Sequence, residues 1–518
     1  MESYTKYSNE LLEGEVFIHI SVGYASKHEE YWNQKLDNKT YQIYAHSLTF
    51  LKYLSEQYAE SKDDIFLDEG EQLLNRWLDT KHLSTLIMHE QPVAARLNNI
   101  LRFSHYRYPD SIPENILEIV EDHIQFLLDN KNYRKNNHGI MMDTSLSGTL
   151  KYIPQNLKHI EKSIIDKVIS RSQDAIDRDF SKKQLHLENS PDYHRLTVRW
   201  LHAVERNLNQ ASSTLGEEYV KKIELAATLD AIIAMPNLRY PIYGDSSDGT
   251  FKGIKNYDDF IDEKAGRAIF QNEKKKSQLT FIAGYGSKGH KHYDDLSFTF
   301  YDGNQVVFND SGKYNYNKND KIRKHVISPL AHNSLSIYKE NYVISNRKSD
   351  QENIYIEKYL FDEKYKIVKG VNASYPNTIL TRYLAVLNND TIIIYDRFDS
   401  KNQNTIAVNF NLGLNVSATL LERGKYLIEG VENHVLQSHV GKYTSVILSD
   451  SELTPCKISN KFNKYESNQR ILYRQKTRKG FFLTSISRED NEIEIIEFNE
   501  TNLTLKSNNQ TYNISFEF

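Results

Sequence analysis

The hydrophobic period of the chain changes once, near its middle, and this bounds what it can fold into. Up to about Pro236 apolar residues recur at helical spacing; beyond about Gly253 they alternate with a period of two or form short β-branched runs. Periods of 3.6 and 2 place side chains on different faces, so each half is committed to one kind of element. In the first half, Ser111-Ile112-Pro113-Glu114 has the form of a capping box. Ile116, Leu117, Val120, Ile124, Leu127 and Leu128 follow at helical spacing, and Asp129-Asn130-Lys131-Asn132 stops the helix. Similar patterns run through Tyr41 to Tyr58, Val93 to Phe103, Leu157 to Ser170 and Tyr193 to Asn207. Repeated helix pairs of this kind predict a helical toroid or solenoid.

Pro236, Pro241, Gly244, Ser246, Ser247, Gly249 and Gly253 mark a connection between the halves. The expected division is a helical domain over 1–245 and a β domain over 246–518, with the boundary within 236–275. Ile354 to Phe361, Thr391 to Phe398 and the terminal alternation Tyr512, Ile514, Phe516, Phe518 read as strands. Turns such as Asn388-Asn389-Asp390 favour hairpins, and hence a large antiparallel sandwich over a parallel sheet.

At 518 residues two large units fit. The formal net charge of −4 gives no global attraction to a polyanion, so nucleic acid is not expected as a partner and an acidic ligand must be held by local groups. A single cysteine, Cys456, excludes an intramolecular disulfide framework and a cysteine-rich metal site. Met1 to Glu15 is polar and lacks the apolar core of about 7–15 residues that a secretory leader needs. No stretch approaches the ~20 apolar residues of a membrane span. A cytoplasmic protein and an exported one whose leader has been removed would both look like this, and no membrane partner is expected.

The densest polar cluster is Gly289-His290-Lys291-His292-Tyr293-Asp294. In a strand, His290, His292 and Asp294 would share one face. Asp310 follows the next turn and His332 opens another expected strand; His292, Asp310 and His332 would make a three-ligand site suited to zinc or another divalent ion. Asn136-Asn137-His138-Gly139, taken singly, reads as a polar turn, and His186 to His194 as the start of a helix with Pro191 in its first turn. Gly284-Tyr285-Gly286-Ser287-Lys288-Gly289 fits G-x-G-x-x-G, but a dinucleotide site needs a helix immediately afterwards, and the continuation is strand-like.

In order along the chain, Asn137-His138-Gly139, Glu188 to His194, His290 to Phe298, Asp310 to Tyr314 and Ala331 to Asn333 resemble motifs of the heparinase II/III-like polysaccharide lyases and the related alginate lyases. The resemblance spans roughly residues 85 to 340. It implies an incomplete (α/α) toroid followed by an antiparallel β-sandwich. Carried over by position, it also implies that Asn137 and His138 contact a substrate carboxylate, that Tyr193 and His290 are catalytic, and that His292, Asp310 and His332 hold the metal. The implied partner is an acidic polysaccharide, a glycosaminoglycan, an alginate or a capsule.

The chemistry of such a reaction wants these groups. Removing the C5 proton of a uronate builds charge beside an existing carboxylate, which an amide donor such as Asn137, with His138 beside it, can stabilise. A base must take that proton and an acid must protonate O4; Tyr193 and His290 can divide those tasks. Such a site would draw Asn137, His138 and Tyr193 from the helices and His290 from the sandwich. Two other readings are open: a glycoside hydrolase using Glu188 and Asp294 as paired carboxylates, and a non-catalytic glycan-binding or capsule-assembly protein.

Overall fold

The protein is described by a computed structural model covering residues 2–440 and 443–518. A helical N-terminal region, forming an incomplete (α/α) toroid, is followed by a sheet-rich C-terminal region. By contact density the chain divides into two compact units. The first comprises Met1–Arg178 and Leu196–Glu224; the second comprises Asp179–Arg195 and Leu225–Phe518. The segment that carries Tyr193 therefore counts with the strand-rich unit.

In the first unit the helix Glu90–Arg107 packs against Thr49–Ser61, Glu114–Leu128 and Asn137–Thr149. It buries Val93, Leu97, Ile100, Leu101 and Phe103. The capping box at Ser111 does not form. Pro113 is the N-cap residue, in an extended conformation and without a side-chain cap, and the helix begins at Glu114. A residue preceding proline is pushed out of the helical region, so Ile112 cannot be helical and Ser111 is stranded outside the first turn. The segment Tyr41 to Tyr58 is two helices, Lys39–Ala45 and Thr49–Ser61, broken at His46 to Leu48. The break has a use: the His46 carbonyl accepts from the buried Arg96 guanidinium at 2.6 Å, and His46 Nδ1 accepts from Trp77 Nε1 at 3.1 Å.

In the second unit antiparallel sheets of five, ten and three strands stack, and Lys457–Lys461 pairs with Lys464–Ser467 in a separate two-stranded sheet. Two long strands, Ile392–Asn411 and Gln469–Arg488, pair along the middle of the ten-stranded sheet. Alternate residues of that sheet face opposite ways. Ile392, Ile394, Ile406, Val408 and Phe410 join Phe270, Phe281, Phe298 and Phe308 of the five-stranded sheet in one core. Ile393, Tyr395 and Leu483 join Leu503, Leu505, Tyr512 and Ile514 of the three-stranded sheet in another. Burial on both faces explains the run Thr391 to Phe398, which lacks a clean polar alternation. The turn Asn388-Asn389-Asp390 closes the hairpin of Thr378–Leu387 with Ile392–Asn411, with Asp390 left-handed at φ 65°.

Residues 283–296 are a loop, and the next strand is Ser297–Asp302. The expectation that His290, His292 and Asp294 alternate on a strand is therefore corrected. His290 has φ 56°, which no strand tolerates. No helix follows the glycine-rich run Gly284 to Gly289.

The base of this loop is fixed from beneath. Arg382 and Asp396, opposite each other on neighbouring strands, form a two-pronged pair at 2.7 and 2.8 Å with no exposed side-chain surface. The Arg382 guanidinium also donates to the carbonyls of Leu296 and Asn333. Removing one partner leaves a buried, uncompensated charge, so Asp396→Leu should cost about 3–5 kcal/mol in denaturant unfolding. Arg382→Met in the same chain should recover part of that loss, because no lone charge then remains buried.

Candidate active site and metal centre

The site is organised by Asp245, in the connecting segment that the sequence marks only as a linker. Gly244 is left-handed at φ 58°, and a Cβ there would lie 2.4 Å from the Asn189 carbonyl oxygen and 3.1 Å from that of His290. Only glycine allows the backbone this close. The next residue, Asp245, is thereby delivered between two histidines. His290 Nδ1–H donates to its Oδ2 at 3.1 Å, and His292 Nε2–H donates to its Oδ1 at 2.9 Å. Arg323 donates to the two oxygens at 2.5 and 3.2 Å. Burial works to raise the pKa of Asp245, but the two histidine hydrogen bonds and the Arg323 charge win and hold the carboxyl far below the usual range.

Tyr193 comes from the first turn of the helix Pro191–Gln210. Its ring stacks on His290, with centroids 3.3 Å apart and planes within 15°. Asn189, left-handed at φ 60°, donates to the carbonyls of Ser287 and Gly289 at 2.7 and 2.9 Å and so ties this segment to the His290 loop. Ser190 Oγ donates to the Asp245 carbonyl at 3.0 Å. Glu188 Oε2 lies 3.7 Å from His290 Nε2. The Tyr193 phenol is half-buried and exchanges a 2.7 Å hydrogen bond with the phenol of Tyr316. Burial pushes the Tyr193 phenol well above its ordinary range, so it is protonated at neutral pH.

His292, Asp310 and His332 are fully buried, with one ligand atom of each lying within 4.8 Å of the others. His332 Nδ1–H donates to Asp310 Oδ1 at 3.0 Å. With His292 Nε2 on Asp245, three buried atoms lack a partner: His292 Nδ1, Asp310 Oδ2 and His332 Nε2. Two imidazole lone pairs and one carboxylate oxygen, each backed by a hydrogen bond at the other atom of the same group, fit a divalent cation. Asn333 supports the set. Its amide donates to the carbonyls of Phe298 and Asn309 at 2.7 and 2.9 Å, and its Oδ1 accepts from the Asn411 backbone at 2.5 Å.

Asp294 takes no part in either group. It is buried in an ion pair with Lys291, which also lies 3.0 Å from Asp295. Burial would raise the Asp294 pKa, but the charges of Lys291, His332, His292 and Arg267 together outweigh it and hold the carboxyl below its ordinary range. This is not the setting of a carboxylate facing a scissile bond.

In the helical unit, Asn136 to Gly139 do not form an isolated turn. They start the helix Asn137–Thr149, with Asn136 Oδ1 accepting from the His138 backbone at 3.0 Å. Asn137 is buried, and His138 Nδ1–H donates to Glu90 Oε1 at 3.2 Å. Gly139 is required: a Cβ there would meet the Arg134 carbonyl at 2.0 Å.

Asp245, Arg323, Tyr316 and Glu90 are not found by sequence reasoning. Asp245 sits among turn residues. Tyr316 lies two residues past Tyr314, the motif tyrosine, whose ring instead meets Tyr465.

Burial would raise the pKa of Glu90, but the hydrogen bonds from His138 and its own backbone N–H, with the charges of His89 and Arg134, bring it down to about 2. A depressed carboxylate stabilises the fold above its unfolded pKa, and the stability is lost as pH falls through the folded value. Stability should therefore decline between about pH 4.3 and pH 2 through this group. In Glu90→Gln that part of the pH dependence should be absent from unfolding curves.

Two family descriptions match the chain: "Heparinase II/III N-terminus" over residues 28–265 and "Heparinase II/III-like, C-terminal" over 261–509. Among solved structures, heparan sulfate lyase HepC from Pedobacter heparinus is 15% identical, with 99% of this chain and 89% of that chain covered and a TM-score of 0.73. A heparinase III is 17% identical, with 92% and 83% covered and a TM-score of 0.77. No curated protein sequence matches the chain. The two family matches meet near residue 261 and between them take in the Tyr193–His290 pair and the His292, Asp310, His332 cluster, so the chain belongs to the heparinase II/III-like polysaccharide lyases.

Proposed function

We propose that the protein cleaves a uronate-containing acidic polysaccharide by β-elimination, with His290 as the base and Tyr193 as the acid. The observation that carries this reading is the stacked pair itself. His290 is held at Nδ1 by Asp245, which leaves the Nε2 lone pair to accept the C5 proton. Tyr193, kept protonated by burial, is suited to give its proton to the departing O4. As the C5–H bond breaks, its electron pair forms the C4–C5 double bond and the C4–O4 bond breaks.

Asn137 and His138 are assigned to the substrate carboxylate on the family resemblance, where an amide donor would offset the charge that develops during proton removal. His292, Asp310 and His332 would hold a divalent ion, which we propose to be zinc, serving to fix the loops that carry His290 and the strand ends behind it. Heparan-sulfate-type polymers are the first substrates to screen, because they are what the similar solved lyase is named for.

The test is ultraviolet absorbance of unsaturated uronate ends across a panel of glycosaminoglycans, alginate and capsular polymers. Saturated reducing ends alone would overturn elimination in favour of hydrolysis. Tyr193→Phe should lose about 10²–10⁴-fold in turnover with KM little changed, whereas a variant keeping more than about a tenth of wild-type turnover would remove Tyr193 from the mechanism. Metal analysis should find one equivalent of zinc, and a chelator should lower the melting temperature. A metal-free protein of unchanged stability would remove the ion from the proposal.

A further inference from the structure

Resting on the assignment of Tyr193 as the acid, we propose that Tyr316 is a proton-relay residue that restores the Tyr193 proton from solvent after each cleavage. A phenol that gives its proton to O4 is left as a phenolate and must be reprotonated before the next turnover. The two phenol oxygens are 2.7 Å apart. A hydroxyl can donate once and still accept, so Tyr193 can donate to O4 while its oxygen accepts from the Tyr316 O–H. Once Tyr193 has released its proton, the Tyr316 proton moves along the hydrogen bond already made, and Tyr316 takes another from water.

Two further observations fit this role. Tyr316 is 46% exposed and Tyr193 half-buried, so Tyr316 is the more open of the two to solvent. Two cations also lie by the phenols: Lys313 Nζ is 5.7 Å from the centre of each ring, and the Arg323 guanidinium is 5.8 Å from that of Tyr316. Positive charge at that range offsets part of the cost of a transient phenolate that burial and the Asp245 carboxylate impose.

The step balances. The proton lost by Tyr193 to O4 is replaced through Tyr316, and the proton taken from C5 leaves from His290, so the enzyme ends each cycle in its starting state. Tyr316 acts through Tyr193 and needs no contact with the sugar.

Tyr316→Phe in the full chain separates a relay from a structural prop, since it keeps the ring and its cation contacts. In rapid-quench experiments the first turnover should run at the wild-type rate, because Tyr193 begins protonated. Steady-state turnover should then fall by about 10- to 100-fold, below the full range for losing an acid–base group, with KM unchanged. Raising the concentration of a small buffer acid such as imidazolium should restore it. A first turnover slowed as much as the steady state, or a steady state at wild-type level, overturns the relay. If instead Tyr193→Phe turns over normally while unsaturated ends still form, the assignment of Tyr193 falls and takes the relay with it.

Discussion

Everything around the candidate site hangs on one buried carboxylate. Asp245 uses both oxygens, one for each of two histidines with different work. His290 stacks on Tyr193; His292 belongs to the candidate metal cluster. A carboxylate with only 3% of its side chain exposed would be strongly disfavoured alone. Two imidazole donors and a guanidinium reverse that balance, and in return the carboxylate fixes the tautomer of each ring. His290 keeps Nε2 turned away from Asp245, 3.7 Å from Glu188 Oε2, and His292 keeps an unpartnered Nδ1, the lone pair that a metal ligand requires. The same group thus ties the candidate metal cluster to the ring that stacks on Tyr193.

The segments that carry these residues are irregular, so their backbone polar groups cannot be satisfied by a ladder and side chains must do it instead. Asn189 caps the carbonyls of Ser287 and Gly289. Asn333 gathers Phe298, Asn309 and Asn411. Arg382 reaches up from the ten-stranded sheet to Leu296 and Asn333. Each of these side chains is buried, so each missing bond would leave an unsatisfied group in a region that water does not reach. The long paired strands matter here as a rigid floor: Asp396 and Arg382 are fixed by register before they fix anything else.

This also explains what could be read from the sequence. The two periodicities gave away the helical and the sheet-rich regions, and Ile354–Phe361 has the bounds its β-branched and aromatic run suggests. The cluster His292, Asp310, His332 was legible because metal ligands come from a short menu of residue types. The geometry of the His290 loop was not, because period two is also what a loop shows by chance, and only its left-handed φ distinguishes the cases. Asp245 was invisible for a related reason. A linker aspartate and a buried hub look alike until Gly244 is seen to bring its backbone against Asn189 and His290. The capping box at Ser111 failed through a local rule, the restriction before Pro113, that outranks the longer motif.

The stacked pair shows why such strain is kept. A non-glycine residue in the left-handed region costs on the order of 1–2 kcal/mol, and His290 bears that cost in a loop braced by Asn189, Asp245 and Gly244. Relaxed to an extended conformation, the backbone would swing the ring away from Tyr193 and from Asp245 together. The strain therefore holds the imidazole and the phenol face to face while giving them unlike surroundings, a carboxylate at Nδ1 for one and partial burial for the other. A phenol that keeps its proton, stacked on an imidazole whose Nδ1 is held by a carboxylate, is the pairing that the proposed removal and delivery of protons would use.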